Sequence, residues 1–235
     1  MQVGQNGKCR KPTKDSTITV PSPTNSSARL PLIDGKTLIK NVKAWANKLQ
    51  DHHWGAGRKW YQHANQLCQI LATETETPLR NVCGVLASLS PQVSWEVNIR
   101  SCEAIVRDGQ IDKGYTGYRI NVDKALQCLV DDPENVLGGF KVLAFYRNIL
   151  DPLRSVDVTV DTHIGRIVFD TMRLDTKQQN FLFSKNGNAM IQQAIQKEAN
   201  KRKVRPHVLQ ASLWVCAREL AQAKADKDQL PLYVK

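Results

Sequence analysis

Val160-Asp161-Thr162-His163-Ile164-Gly165-Arg166-Ile167 joins two kinds of pattern. Upstream, residues 155–160 (Ser-Val-Asp-Val-Thr-Val) are rich in β-branched side chains that alternate, which predicts an extended segment. Downstream, Ile164, Ile167, Val168 and Met172 recur at helical spacing. Asp161 stands at the junction, where Asp is a favoured N-cap. Two readings follow: the carboxylate caps the helix, or it is held at a helix start to act on something. The macrodipole stabilises its ionised form in both.

Working outward, helical periodicity dominates the chain. Val42, Trp45, Ala46 and Leu49 share one face, and Trp60, Ala64, Leu67, Cys68 and Leu71 share another. Residues 82–89 are apolar all round and end at Ser90-Pro91, which predicts a central buried helix broken by a turn. Trp95, Ile99, Cys102 and Val106 begin the next helix, and the Gly-punctuated 108–120 reads as a loop.

Helical spacing returns with Val122, Ala125, Leu126 and Leu129. Asp131-Asp132-Pro133 stops it, Leu137-Gly138-Gly139-Phe140 makes a tight connection, and Val142, Phe145, Tyr146 and Ile149 open another helix. Two more helices are expected over about 188–199 and from Pro206 to Ala223. The expected fold class is all-α. Trp54, Trp60 and Trp95 read as core aromatics, since Trp60 and Trp95 fit apolar faces.

Residues 1–30 are rich in Ser, Thr, Pro, Asn and Lys without a sustained apolar period, so a flexible basic tail is expected before one folded unit over 31–235. The chain of 235 residues carries 33 Lys+Arg against 22 Asp+Glu, a formal charge of +11 that favours a polyanionic partner. The excess gathers at Lys8, Arg10, Lys11 and Lys14, and again at Lys197, Lys201, Arg202, Lys203 and Arg205.

Cys9, Cys68, Cys83, Cys102, Cys128 and Cys216 form no Cys-x-x-Cys pair or Cys/His cluster, which argues against a zinc or iron-sulfur site and fits reduced, buried thiols. No apolar run reaches about 18 residues and no signal peptide is visible. A soluble, intracellular protein without metal, cofactor or membrane partner is expected.

Three elements stand in order: Leu89-Ser90-Pro91-Gln92 at a break between helices, Gly138-Gly139-Phe140-Lys141 entering a helix, and Val160-Asp161-Thr162-His163-x-x-Arg166. This order resembles the helix-hairpin-helix DNA glycosylase superfamily, particularly its endonuclease III branch, over about residues 80–220. The resemblance implies two helical lobes with a cleft between them and duplex DNA as partner. It also implies roles: Asp161 as the catalytic carboxylate, Lys141 as the nucleophile of members that also cleave the backbone, and Gln92 as the side chain inserted where a base has left.

Gly138 and Gly139 would offer backbone N–H groups to a phosphate. The basic residues Lys201, Arg202, Lys203 and Arg205 would contact the DNA backbone, and His163 and Arg166 would orient the Asp161 segment. The chain departs from the family where Leu-Gly-Gly-Phe replaces Leu-Pro-Gly-x-Gly, and where no four-cysteine cluster follows Cys216. Its compactness and basic tail are similar to phage-encoded members.

The activity implied is cleavage of the N-glycosidic bond of a modified or damaged base flipped from duplex DNA, with AP-lyase activity if Lys141 attacks. Two alternatives stay open. One is a phage base-modifying transferase on the same fold, moving an amine or amino acid onto activated thymine. The other is a non-catalytic DNA-binding protein using the hairpin and basic patches.

Overall fold

The structure is a computed structural model, and it describes residues 32–229. The basic N-terminal tail and Cys9 lie outside the described residues. The described part is all-α, with eleven helices and no strand. In chain order these are α1 (Gly35–Ala46), α2 (Asp51–Glu74), α3 (Leu79–Leu89), α4 (Trp95–Asp108), α5 (Arg119–Cys128), α6 (Pro133–Val136), α7 (Phe140–Leu150), α8 (Thr162–Phe169), α9 (Thr176–Phe183), α10 (Lys185–Lys201) and α11 (Pro206–Gln229).

The central helix is the one expected from its composition: every residue of α3 from Asn81 to Leu89 is buried. It packs against α2, α4, α5 and α7. Where its neighbours come closest, side chains are missing. A Cβ on Gly84 would lie 2.6 Å from Pro133 Cγ. The buried apolar residues form two clusters among the described residues. One joins α2 to α5 and α7 around Val82, Leu86, Ile105 and Ile149. The other joins α1, the segment before Asp161, and α8 to α11 around Leu38, Ile164, Ile195 and Leu213.

The long helices α2 and α11 pack along each other. A Cβ on Gly57 would sit 2.7 Å from Ser212 N and 2.9 Å from its Cα, so the two backbones nearly touch there. Trp60 and Tyr61 follow Gly57 by one turn, and Trp214 follows Ser212 by two residues. This contact therefore sets how near the two aromatic helices stand.

One expectation is corrected, and two short helices appear that the periodicity did not announce. Met172 does not continue the face of Ile164, Ile167 and Val168: α8 ends at Phe169, Asp170 turns left-handed at φ 48°, and Met172 is exposed. Trp45 Nε1 donates to Asp170 Oδ1 at 3.1 Å and holds that turn. A one-turn helix, α6, precedes the glycine connection, started by Asp132 accepting from Glu134 N at 3.0 Å and by Pro133 at its first position. Finally, α9 has no counterpart in the periodicity because only Leu182 of it is buried. Its signal was the capping box, in which Asp175 and Gln178 exchange backbone bonds of 2.8 and 3.0 Å.

No helix among the described residues is long and apolar enough to cross a membrane. Cys68, Cys83, Cys102, Cys128 and Cys216 are buried free thiols, as expected.

Candidate functional site

Residues 155–160 form no ladder. They cross the interior as irregular chain with Val158, Thr159 and Val160 buried, so their backbone is fixed by side chains instead. Tyr61 on α2 is central to this. Its hydroxyl donates to Gln210 Oε1 at 2.7 Å and lies 2.9 Å from Thr159 Oγ1. Asn148 Nδ2 donates to the same Thr159 oxygen at 3.2 Å, and Ser155 Oγ donates to Asn148 Oδ1 at 2.5 Å. Burial pushes the Tyr61 phenol well above its ordinary pKa, so it stays a neutral donor. This chain of bonds ties α2, α7 and α11 to the segment that delivers Asp161.

Asp161 is the N-cap of α8: its Oδ1 accepts from Ile164 N at 2.8 Å. The capping reading therefore holds. The same residue also lines a cavity of about 590 Å³, within the span of about 300–1,000 Å³ found for small-molecule sites. Gln92 and Lys141 line it too. Three residues distant in sequence are thus brought to one space.

Each arrives by a different local device. Gln92 sits in the turn between α3 and α4, exposed, with φ 64°, a left-handed conformation that is uncommon outside glycine. Lys141 is the second residue of α7, whose N-cap Gly139 has φ 82° and offers no side-chain cap. The glycine is needed there, and the first N–H groups of α7 are left without a capping side chain. Lys141 is half-buried and forms no ion pair among the described residues.

His163, expected near the site as a residue that orients the Asp161 segment, lines the cavity, with its ring edge-on to Trp214 at 6.1 Å. Burial pushes its pKa down, opposed by Asp161 and reinforced by Arg166, Arg218 and Lys141. It is a neutral imidazole at neutral pH, able to donate and accept.

The walls are aromatic. Trp60 packs on Trp95 at 5.0 Å, Phe145 at 5.7 Å and Trp214 at 5.8 Å between ring centres. Trp60 and Trp95, read from sequence as core, therefore do both things: they pack on the first apolar cluster and face the cavity. Trp54 packs on the second cluster and does not line the cavity. Trp214, Arg218, Gln210 and Asn98 are cavity residues that the sequence reading passed over. Arg218 lies over the Trp214 ring at 4.7 Å.

Gly138, Gly139 and Arg166 do not line the cavity. Lys201, Lys203 and Arg205 are exposed around the turn between α10 and α11, and Arg205 immediately precedes α11, the helix that carries Gln210. Arg202 differs from them. It is half-buried, with Nε donating to Glu198 Oε1 at 2.8 Å and Nη2 to Asn47 Oδ1 at 2.5 Å, so it ties α10 to the end of α1.

His52 and His53 each place Nε2 at 2.9 Å from Glu219 Oε2, a grouping of the kind that can hold a divalent cation. However, Gln50 N donates to His53 Nδ1 at 2.9 Å, which puts the ring proton on Nε2 and points it at Glu219. A metal on that nitrogen requires the opposite tautomer. The group acts as a hydrogen-bonded clasp between α2 and α11.

Residues 31–221 match the model of a family described as a family of unknown function (DUF7178). The chain belongs to that family. No curated protein and no solved structure matches it. The DUF7178 match takes in every residue that lines the cavity, from Trp60 to Arg218.

Proposed function

We propose that this DUF7178 chain is a helix-hairpin-helix DNA glycosylase-like enzyme that takes a flipped base into the aromatic cavity and breaks its N-glycosidic bond. The observation that carries this reading is the meeting of Gln92, Lys141 and Asp161 at one cavity. The two apolar clusters, with the cavity lined from helices of both, fit a two-lobed arrangement.

Breaking the bond between C1′ and the base develops positive charge on the sugar. Asp161, fixed at the start of α8, stabilises that cation and accepts the proton of the attacking water. The base leaves with the electron pair of the bond, and the sugar keeps the hydroxyl. If Lys141 attacks instead, its nitrogen displaces the base at C1′, ring opening gives a Schiff base, and loss of the α-proton expels the 3′ phosphate. Gln92, exposed and lining the cavity, fills the space left in the duplex. The uncapped N-terminus of α7 suits a DNA phosphate.

One feature favours the transferase alternative on the same fold. Lys141 and Arg218 both line the cavity, and neither is in an ion pair among the described residues, which suits an anionic leaving group on an activated base.

The test is product analysis on duplexes that carry a panel of modified bases. The glycosylase reading requires free base in solution and an alkali-labile abasic site. DNA of increased mass with no free base favours transfer, and unchanged DNA in every duplex removes both. Borohydride trapping of a protein–DNA adduct, lost in Lys141→Gln, tests the lyase step.

A further inference from the structure

Asn98 on α4 lines the cavity, yet it is only 2% exposed and its Oδ1 has no hydrogen-bond partner. Five buried side-chain polar atoms lack partners among the described residues, on Asn81, Asn98, Ser101, Asn121 and Glu198. Of these five residues, Asn98 alone lines the cavity. Two of the others are anchored through another atom: Asn81 Nδ2 donates to Cys128 O at 2.7 Å, and Glu198 Oε1 accepts from Arg202 at 2.8 Å. Among the described residues, no such bond holds Asn98.

A buried acceptor without a partner destabilises the fold that contains it, and buried polar groups left so are rare. At a cavity wall the missing partner has an obvious source, which is a ligand. The surroundings say what kind. Trp95 lies one turn before Asn98 on the same helix, and Trp60 packs on Trp95. Flat rings of this kind receive flat rings by stacking. Stacking engages the faces of a planar heterocycle and leaves its edge groups to be met by polar side chains.

We infer that Asn98 reads the edge of a nucleobase, its amide oxygen accepting from a ring N–H, so the cavity selects imide-bearing bases of the uracil, thymine or guanine type. This rests on the base being held in the cavity, as in the glycosylase reading, but not on any bond being broken there. A site built to receive an N–H discriminates strongly against analogues that lack it, because the acceptor is then left bare.

The test uses the full chain and the fluorescence of its cavity tryptophans, titrated with deoxyuridine, deoxyguanosine and N3-methyldeoxyuridine. At least one imide nucleoside at millimolar concentration quenches the wild type, and the methylated analogue binds roughly tenfold more weakly or worse. Asn98→Leu binds deoxyuridine and its methylated form equally weakly. It melts at or above the wild-type temperature, because an apolar side chain of similar size replaces an unsatisfied amide.

Equal binding of the methylated nucleoside, no binding of any nucleoside, or discrimination surviving in Asn98→Leu each overturns the inference. A melting temperature clearly below wild type does so as well, since the amide then has a structural role. Discrimination without release of any base from DNA refutes the glycosylase reading and leaves this one standing. Base release undiminished in Asn98→Leu does the reverse.

Discussion

Tyr61→Phe isolates the bond network that delivers Asp161. The ring is kept, so contacts with Trp60 at 4.9 Å, His207 at 5.5 Å and Phe145 at 6.1 Å survive and no large cavity opens. What is lost is one hydroxyl between two buried groups. Thr159 retains the Asn148 donor, whereas Gln210, 4% exposed, loses the donor to its Oε1. One buried acceptor orphaned and one weakened come to about 2 kcal/mol. For a chain of this size that is a fall of roughly 4–8 °C in melting temperature.

Urea denaturation followed by circular dichroism measures the change, with an unchanged slope showing that the unfolded state is not altered. Adding Gln210→Leu removes the orphan, so the double variant is less destabilised than the sum of the singles. Because Thr159 stands two residues before Asp161, turnover falls more than stability does, by roughly 10²-fold for a displacement near 1 Å. Additive singles, or a loss under about 0.5 kcal/mol, refute the claim that this network positions the site.

The basic turn separates into two behaviours. Replacing Lys201, Lys203 and Arg205 by Gln lowers DNA affinity and reduces the salt slope by about 2.7 if all three meet phosphates. Arg202→Gln instead lowers stability, by about 2 kcal/mol after allowance for its partial exposure, because Glu198 is left buried without its partner; the salt slope stays as in wild type. An unchanged slope in the triple variant, or a changed slope in Arg202→Gln, goes against this division.

The pKa of His163 is pushed down by burial, and so is that of His207. The folded state therefore takes up their protons at lower pH than the unfolded state, whose imidazoles titrate near about 6.5. Above that value neither contributes. Below it the unfolded state binds protons first, and stability falls as pH falls. His163→Asn flattens the fall measured by thermal melting; an identical pH profile in wild type and variant contradicts it.

The all-α class, the buried α3 and the N-cap at Asp161 were legible because each is written in a few consecutive residues. Val82 to Leu89 are apolar or small, and Asp161 stands at a change of period. The cavity was legible at Gln92, Lys141 and Asp161, with His163 beside them. Trp60, Trp95, Asn98, Trp214 and Arg218 each fit a helical stripe, and nothing in a stripe says whether it faces core or space. Trp60 does both.

Tyr61, Asn148, Thr159 and Gln210 were missed because single polar residues in apolar runs acquire meaning only when their partners, from four elements, are known. The false extension to Met172 had a local cause: Asp170 stops α8 through its backbone conformation and its bond from Trp45 on α1.

The central claim is that Asp161 does more than cap a helix, and two substitutions divide the roles. Asp161→Asn keeps a good N-cap for Ile164 N, whereas Asp161→Ala removes it and costs about 1 kcal/mol. On a duplex from which the wild type releases base, the decisive measurement is the single-turnover rate of Asp161→Asn at saturating enzyme. The account predicts near-wild-type melting, retained DNA binding and a rate lower by roughly 10²–10⁴-fold. A wild-type rate in that variant would make Asp161 a cap and nothing else.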